Sequence, residues 1–198
     1  MKVLLLLAVL AYFGAGYLTL NLISSHQSSG SLAIGLDSRL PFIPLFIVIY
    51  LLGYPLPVLP YFMIKDMTNY KRAVMAYFFV LSVSFLVFLL YPVFIARPAP
   101  EAMSPIFAAV FKCLHAVDGP YNTFPSLHVS LAAVAVLACI DWHKKHLWLL
   151  VWPPLIAASA VLIKQHYIWD VLGGLALGGL AYLFFMNPRT RLVDRLSR

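Results

Sequence analysis

Roughly six stretches of this chain are apolar for long enough to cross a lipid bilayer, and this feature constrains the fold more than any other. A helix needs about 20 apolar residues to span the hydrocarbon core, somewhat fewer where its ends are interfacial. Read with that ruler, the segments run approximately Val3–Ile23, Pro41–Ile64, Ala73–Ile95, Pro125–Ile140, Leu147–Ile163 and Ile168–Met186. The fourth and fifth are the shortest. None alternates with the period of a strand, and a spanning segment must satisfy its own backbone hydrogen bonds, so each is read as a helix. Composition agrees: 63% of the residues are hydrophobic and 11% charged, where soluble domains carry about 25% charged residues. The expected fold is all-α, an integral membrane bundle of about six transmembrane helices, forming one domain over residues 1–198.

The first segment follows Met1-Lys2 and has two readings, a retained span or a cleaved signal peptide. Its apolar run to Ile23 is longer than a usual signal core, which favours the retained span.

Orientation follows from the basic residues. With the amino terminus inside, ten face the cytoplasm: Lys2, Lys65, Lys71, Arg72, Lys144, Lys145, Arg189, Arg191, Arg195 and Arg198. Four face outward: Arg39, Arg97, Lys112 and Lys164. The excess places both termini in the cytoplasm. It also explains the net charge of +7 without a nucleic-acid partner, since no basic stripe interleaved with aromatics is present. The basic tail after Asn187 is expected at the inner lipid surface. Cys113 and Cys139 fall near opposite membrane faces and read as small apolar residues rather than a disulfide.

The outer segments differ in character. Ser24–Leu40 is polar and rich in serine and glycine, a surface loop. In Arg97–Phe124, Ser104-Pro105 reads as a helix start with serine capping. Ile106, Phe107, Val110, Phe111 and Leu114 then recur at helical spacing. A helix over about 104–117 is expected, either lying on the membrane surface or packing over the bundle mouth.

Polar residues gather at the outer ends of the spans. Arg97 follows the third, Ser126 and His128 open the fourth, Lys164 and His166 close the fifth, and Asp170 begins the sixth. Ionisable residues at membrane depth are costly and point to function. His166 and Asp170, four apart, share a face if Gln165–Asp170 is helical. A carboxylate beside an imidazole fixes its tautomer and prepares the other nitrogen to attack an electrophile; the plain alternative is a structural pair. Thr123-Phe124-Pro125-Ser126-Leu127-His128 reads as a helix start, whose free amides form an anion site. Ser126 adds a hydroxyl, and His128, once protonated, can donate to a leaving oxygen. Alternatively Thr123 caps the helix and His128 faces interfacial water. Arg97 and Lys164 supply positive charge for a phosphate, or else snorkel to lipid headgroups. No carboxylate cluster suited to magnesium stands out, so neither a metal nor a cofactor is expected.

These residues resemble the type 2 phosphatidic acid phosphatase (lipid phosphate phosphatase) superfamily. Its pattern is Lys-x6-Arg-Pro, then Pro-Ser-Gly-His, then Ser-Arg-x5-His-x3-Asp. The chain carries Arg97-Pro98, then Pro125-Ser126-Leu127-His128, then Ser159-Ala160 followed at the right spacing by His166 and Asp170. The motif-bearing region covers about 90–178. Leu90 stands at the lysine position and Ala160 at the arginine position, while Lys164, one helical turn after Ala160, is positioned to replace the lost charge. The Phe-Pro-Ser-Leu-His form, with Lys164-Gln165-His166-Tyr167 and with Asp37-x3-Pro41, is similar to the branch containing inositol phosphorylceramide synthases.

The resemblance implies that His166 attacks phosphorus to form a phosphohistidine, Asp170 orients it, and His128 protonates the leaving group. Arg97, Ser126 and Lys164 would bind phosphate. The implied activity is a metal-independent lipid phosphatase acting on a phosphorylated membrane lipid at the outer face. The alternative is a phosphotransferase that moves a phosphate-bearing head group to an alcohol. The implied setting is multi-pass in a bacterial inner membrane, with the site facing the periplasm. Two further readings stay open, an inactive relative that has lost two cations and a non-catalytic bundle binding haem through His128 and His166. Neither the lipid nor the oligomeric state is legible in the sequence.

Overall fold

The computed structural model describes residues 1–26 and 30–187. The arginines of the basic tail, from Arg189 onward, lie outside the described residues. The helices are α1 (Lys2–Ser24), α2 (Gly35–Arg39), α3 (Ile47–Leu52), α4 (Leu59–Met63), α5 (Met67–Leu90), α6 (Pro105–Val117), α7 (Leu127–Trp142), α8 (Trp152–Leu162) and α9 (Ile168–Phe185). The described residues contain no strand, only an isolated parallel bridge between Gly30 and Val93. Five stretches are long and apolar enough to cross a membrane: Lys2–Ser24, Pro44–Met63, Met67–Leu90, Lys144–Leu162 and Ile168–Phe185. The all-α membrane bundle expected from the sequence is what the chain forms.

Local chemistry moves several boundaries. The second segment is broken rather than continuous. Pro44, Pro55, Pro57 and Pro60 cannot donate backbone hydrogen bonds, and the segment divides into α3, α4 and short 3-10 turns at Pro44–Phe46 and Leu56–Val58. The third helix starts six residues earlier than hydropathy suggests, because Asp66 caps it by accepting from the Asn69 amide at 2.7 Å. It stops at Leu90, and residues 91–97 run without helix past Pro92. The fifth span begins as a 3-10 helix, Lys144–Val151, before α8.

α7, which covers the fourth segment expected from the sequence and is shorter than those five stretches, is the centre of the bundle. Val134, Ala135, Val136 and Cys139 on it are fully buried, and it packs against α5, α8 and α9. Its closest neighbour is α9. A Cβ added at Gly174 would lie 2.6 Å from the Ser126 carbonyl oxygen, and one at Gly178 would lie 2.8 Å from the Ala133 Cβ. These glycines, four apart, let the two backbones touch in the manner of small-residue seams between membrane helices. α1 sits at the edge of the bundle on α5, where Tyr12 meets Phe78 and Phe85 and reaches Ser82 at 3.0 Å.

The chain crosses back and forth, so its polar features sort to two ends. At one end Lys2 donates to the Ile64 carbonyl and lies over the Tyr70 ring. At the other, the 91–97 segment is laced to the 120–123 turn by Ile95 N to Pro120 O (3.0 Å) and Thr123 N to Val93 O (3.3 Å). Every candidate site residue lies at this second end. α6 lies beside it with Phe111 and Leu114 buried and Ile106 and Val117 exposed. Ser104 occupies the N-cap position of α6, but its side chain makes no capping bond.

Candidate active site

The site is built on a sharp corner between α8 and α9. Lys164 takes a positive φ of 57°, and the amides of Gln165 and His166 both reach the Ala160 carbonyl, at 2.9 and 3.2 Å. The backbone is not helical from Ile163 to Tyr167, so His166 and Asp170 do not share a helix face as the spacing predicts. They meet across a helix start instead. Asp170 lies in the first turn of α9, where Oδ2 accepts from the Tyr167 amide at 2.9 Å and stands 3.4 Å from His166 Nδ1. The Nδ1 contact is an ion-pair distance without hydrogen-bond geometry, and Asp170 Oδ1 is buried without a partner. Catalytic contacts of this kind commonly tighten when substrate is bound.

The other ring nitrogen faces α7. Ser126 Oγ is 3.1 Å from His166 Nε2. The same hydroxyl caps α7 by accepting from Val129 N at 3.4 Å, and the Ser126 amide donates to the Asp170 carbonyl at 3.0 Å. The cap is therefore Ser126 and not Thr123, whose hydroxyl is buried without a partner. Pro125 precedes the helix rather than lying in its first turn. The glycine seam brings these two segments together.

His128, one residue into α7, is held by an aromatic clamp. Its Nε2 donates to the Tyr50 carbonyl at 2.6 Å, its ring stacks on Tyr50 at 4.1 Å, and the Tyr54 ring meets it edge-on at 4.5 Å. Gly53 leaves room for the imidazole, since a Cβ there would overlap it. Sequence reading did not find Tyr50 or Tyr54. Nothing local marks them, because they reach His128 from 78 and 74 positions away.

The Arg97 side chain is largely covered and already engaged. It donates to the carbonyls of Asp118 and Gly119, the latter at 2.9 Å, and pairs with the Asp118 carboxylate at 3.4 Å. Its Nε is buried without a partner. Asp118 also accepts from the Tyr17 hydroxyl of α1 and from the Tyr50 hydroxyl at 3.5 Å. Sequence reading missed Asp118 as well, because Asp118-Gly119-Pro120 has the composition of an ordinary turn.

Lys164 points elsewhere. Its Nζ donates to the carbonyls of Asp37 (2.7 Å) and Leu40 (2.8 Å). Asp37 in turn accepts from the Ile34 amide (2.8 Å) and the Ile168 amide (3.0 Å), fastening the 30–43 segment to the His166 corner. Leu90 is 72% exposed at the end of α5, and Ala160 is fully buried in α8. Neither position contributes charge. Next to the corner, Gln165 is fully buried and lies 3.2 Å from His115 Nε2 on α6. Burial, with the Arg97 charge, lowers the His115 pKa. A neutral imidazole suits a nitrogen that must accept from the Gln165 amide.

Two cavities meet at His166. One, of about 340 Å³, is lined by His166, His128, Arg97 and Asp118 at one end and by apolar residues of α1, α5 and α7 beyond. The other, of about 540 Å³, lies among the loops and is lined by His166, Arg97, Lys164, Asp37 and Tyr167. Thus His166, Ser126 and Asp170 are in mutual contact, His128 shares the first cavity with His166, and Lys164 shares only the second. Arg97 borders both. A buried imidazole backed by a carboxylate, with guanidinium and ammonium groups nearby, can attack and hold a phosphoryl group.

The fold defines a polytopic helical membrane protein, with two histidines lining one cavity. The family model described as the PAP2 superfamily matches residues 29–184, and the chain belongs to that superfamily. Its membership supports a phosphatase-type, lipid-related activity. No curated protein and no solved structure matches the chain.

Proposed function

We propose that this protein is a lipid phosphatase that removes phosphate from a phosphorylated membrane lipid through a phosphohistidine on His166. The observation that carries the reading is the placement of His166. Nε2 faces the Ser126 hydroxyl at 3.1 Å, Nδ1 faces Asp170 at 3.4 Å, and the ring stands where an apolar cavity and a cation-lined cavity join.

In this mechanism the Nε2 lone pair attacks phosphorus and the phosphorus–oxygen bond to the lipid breaks. Asp170 stabilises the positive charge that develops on the ring. His128, protonated when the anionic phosphate occupies the site, gives the departing alkoxide the Nε2 proton it otherwise shares with the Tyr50 carbonyl and returns to the neutral imidazole. Water then attacks the phosphohistidine, giving a proton back to His128, and the phosphorus–nitrogen bond breaks to release phosphate. Arg97, Lys164, Ser126 and the first amides of α7 hold the phosphoryl oxygens. The acids at the site are committed elsewhere, Asp118 to Arg97 and two tyrosines, and Asp170 to His166 and Tyr167. That donor set supports chemistry without a metal.

Orientation is part of the proposal. Lys2, Lys65, Lys71, Arg72, Lys144 and Lys145 belong to the end opposite the site, so the positive-inside rule turns the site outward, to the periplasm in a bacterial inner membrane.

The test is incubation of purified protein with a panel of lipid phosphates, reading free phosphate and new lipids by mass spectrometry, with acid quenching to trap an acid-labile phosphoenzyme. Phosphate release that disappears in His166→Ala is the expected result. Transfer to an added alcohol without free phosphate would make the chain a phosphotransferase using the same intermediate. No turnover and no phosphoenzyme with any lipid would end the proposal.

A further inference from the structure

The apolar cavity does not stop at the catalytic groups. From His166 and Arg97 it follows α1 past Tyr17, Gly14 and Leu10 to Val9. A smaller cavity of about 30 Å³ shares Val9, Leu10, Pro57, Val58 and Tyr77 with it and carries the same line on to Leu6 and Tyr70. Along α1, Leu6 to Tyr17 corresponds to roughly 16 Å of helix. At one end of this line stand the Arg97–Asp118 pair and the imidazoles of His128 and His166; the remainder is mostly apolar. We infer that this groove binds one hydrocarbon chain of the substrate lipid, and that α1 is the wall that measures its length.

Three observations support this occupant. The groove is continuous with the proposed phosphoryl site, so a lipid whose phosphate reaches His166 has its chain at the groove mouth. Its charged groups lie at one end only, which complements a polar head on an apolar tail. Its volume of about 340 Å³ is at the small end for ligand cavities, of the order of a single linear chain. α1 precedes residue 29 and lies outside the part matched to the superfamily. Gly14 gives a way to probe it, since it lines the groove and a Cβ there meets nothing within 4 Å. A large side chain at that position grows into the empty groove without displacing a neighbour.

The inference rests on the phosphatase reading for its head group, and its test separates the two. Native protein and Gly14→Phe are placed in nanodiscs with monoalkyl phosphates from butyl to dodecyl, kept below their aggregation concentrations. For native protein kcat/KM is expected to rise up to about fourfold per methylene, the gain for moving one CH₂ from water to an apolar site, until the groove is full. In Gly14→Phe the rise should end at a shorter chain, lowering the dodecyl-to-butyl ratio by about tenfold, the effect of roughly two unburied methylenes. Gly179→Phe on α9, equally open but away from both cavities, should keep the native profile. Parallel profiles in native and Gly14→Phe proteins would overturn the groove. If neither releases phosphate, the phosphatase reading fails, and a photoactivatable dodecyl phosphate then reads the groove directly. Labelling of residues 9–18 that Gly14→Phe abolishes supports it, and labelling confined to other helices overturns it.

Discussion

Gly174 and Gly178 of α9 and Gly14 of α1 look alike in the sequence and behave differently in the fold. At Gly174 and Gly178 the backbone of α9 touches α7, with no room for another carbon. At Gly14 the added carbon meets nothing. The first arrangement fixes Ser126 and its helix against His166 and Asp170, and the second leaves an apolar hollow beside the same histidine. In a bilayer, where burial of apolar surface gives little drive for helices to associate, close backbone packing is the stronger source of rigidity. Under the proposed function, the tight seam would carry the catalytic geometry and the loose wall the space for substrate.

Substitutions can break this contrast, and the largest effect is expected at the corner itself. His166→Ala should lower phosphate release by at least about 1,000-fold, as loss of a covalent nucleophile does, with an unchanged melting temperature in detergent. Gly174→Val comes next. It forces α9 off α7, and a displacement near 1 Å costs about 100-fold in kcat, together with about 1–3 kcal/mol of stability from overpacking. Equal activity in Gly174→Val would show that the seam does not set the geometry. Lys164→Met keeps the side-chain stem and removes the charge, and should raise KM by about tenfold, the loss of one charge-assisted bond. Full activity in that variant would remove Lys164 as the substitute cation. Asp118→Asn leaves the carbonyl contacts to Arg97 and should lower kcat/KM by less than about tenfold, read alongside Asp118→Ala. The smallest effect belongs to α1. Gly14→Ala should leave butyl phosphate turnover within about twofold and stabilise the helix by up to about 1 kcal/mol.

The spans and the site end were legible because hydropathy and basic-residue bias are properties of single segments. Ser126, His128, His166 and Asp170 were legible from motif and spacing, and the structure brings them to one end of the bundle. Their exact contacts were not. The sequence suggested a helical His166–Asp170 face, yet the positive φ at Lys164 and the extended Tyr167 make a corner that a four-residue spacing cannot distinguish. Tyr50, Tyr54 and Asp118 were hidden for a different reason, since each reaches the site through a fold-level approach of distant segments. The Gly174-x3-Gly178 spacing was in the chain and is a known sign of close helix packing. The breaks in the second span were also written there, in its prolines.

His166 stands between two hollows. One is walled by membrane-spanning helices, and the other lies among loops that bring up Arg97, Lys164 and Asp37. A group placed on such a threshold can meet one reactant too greasy for water and another too polar for lipid, and neither has to travel through the other's medium. Hydrolysis of a membrane molecule needs that double access, since the alcohol must remain in the bilayer while its severed anion departs into solution.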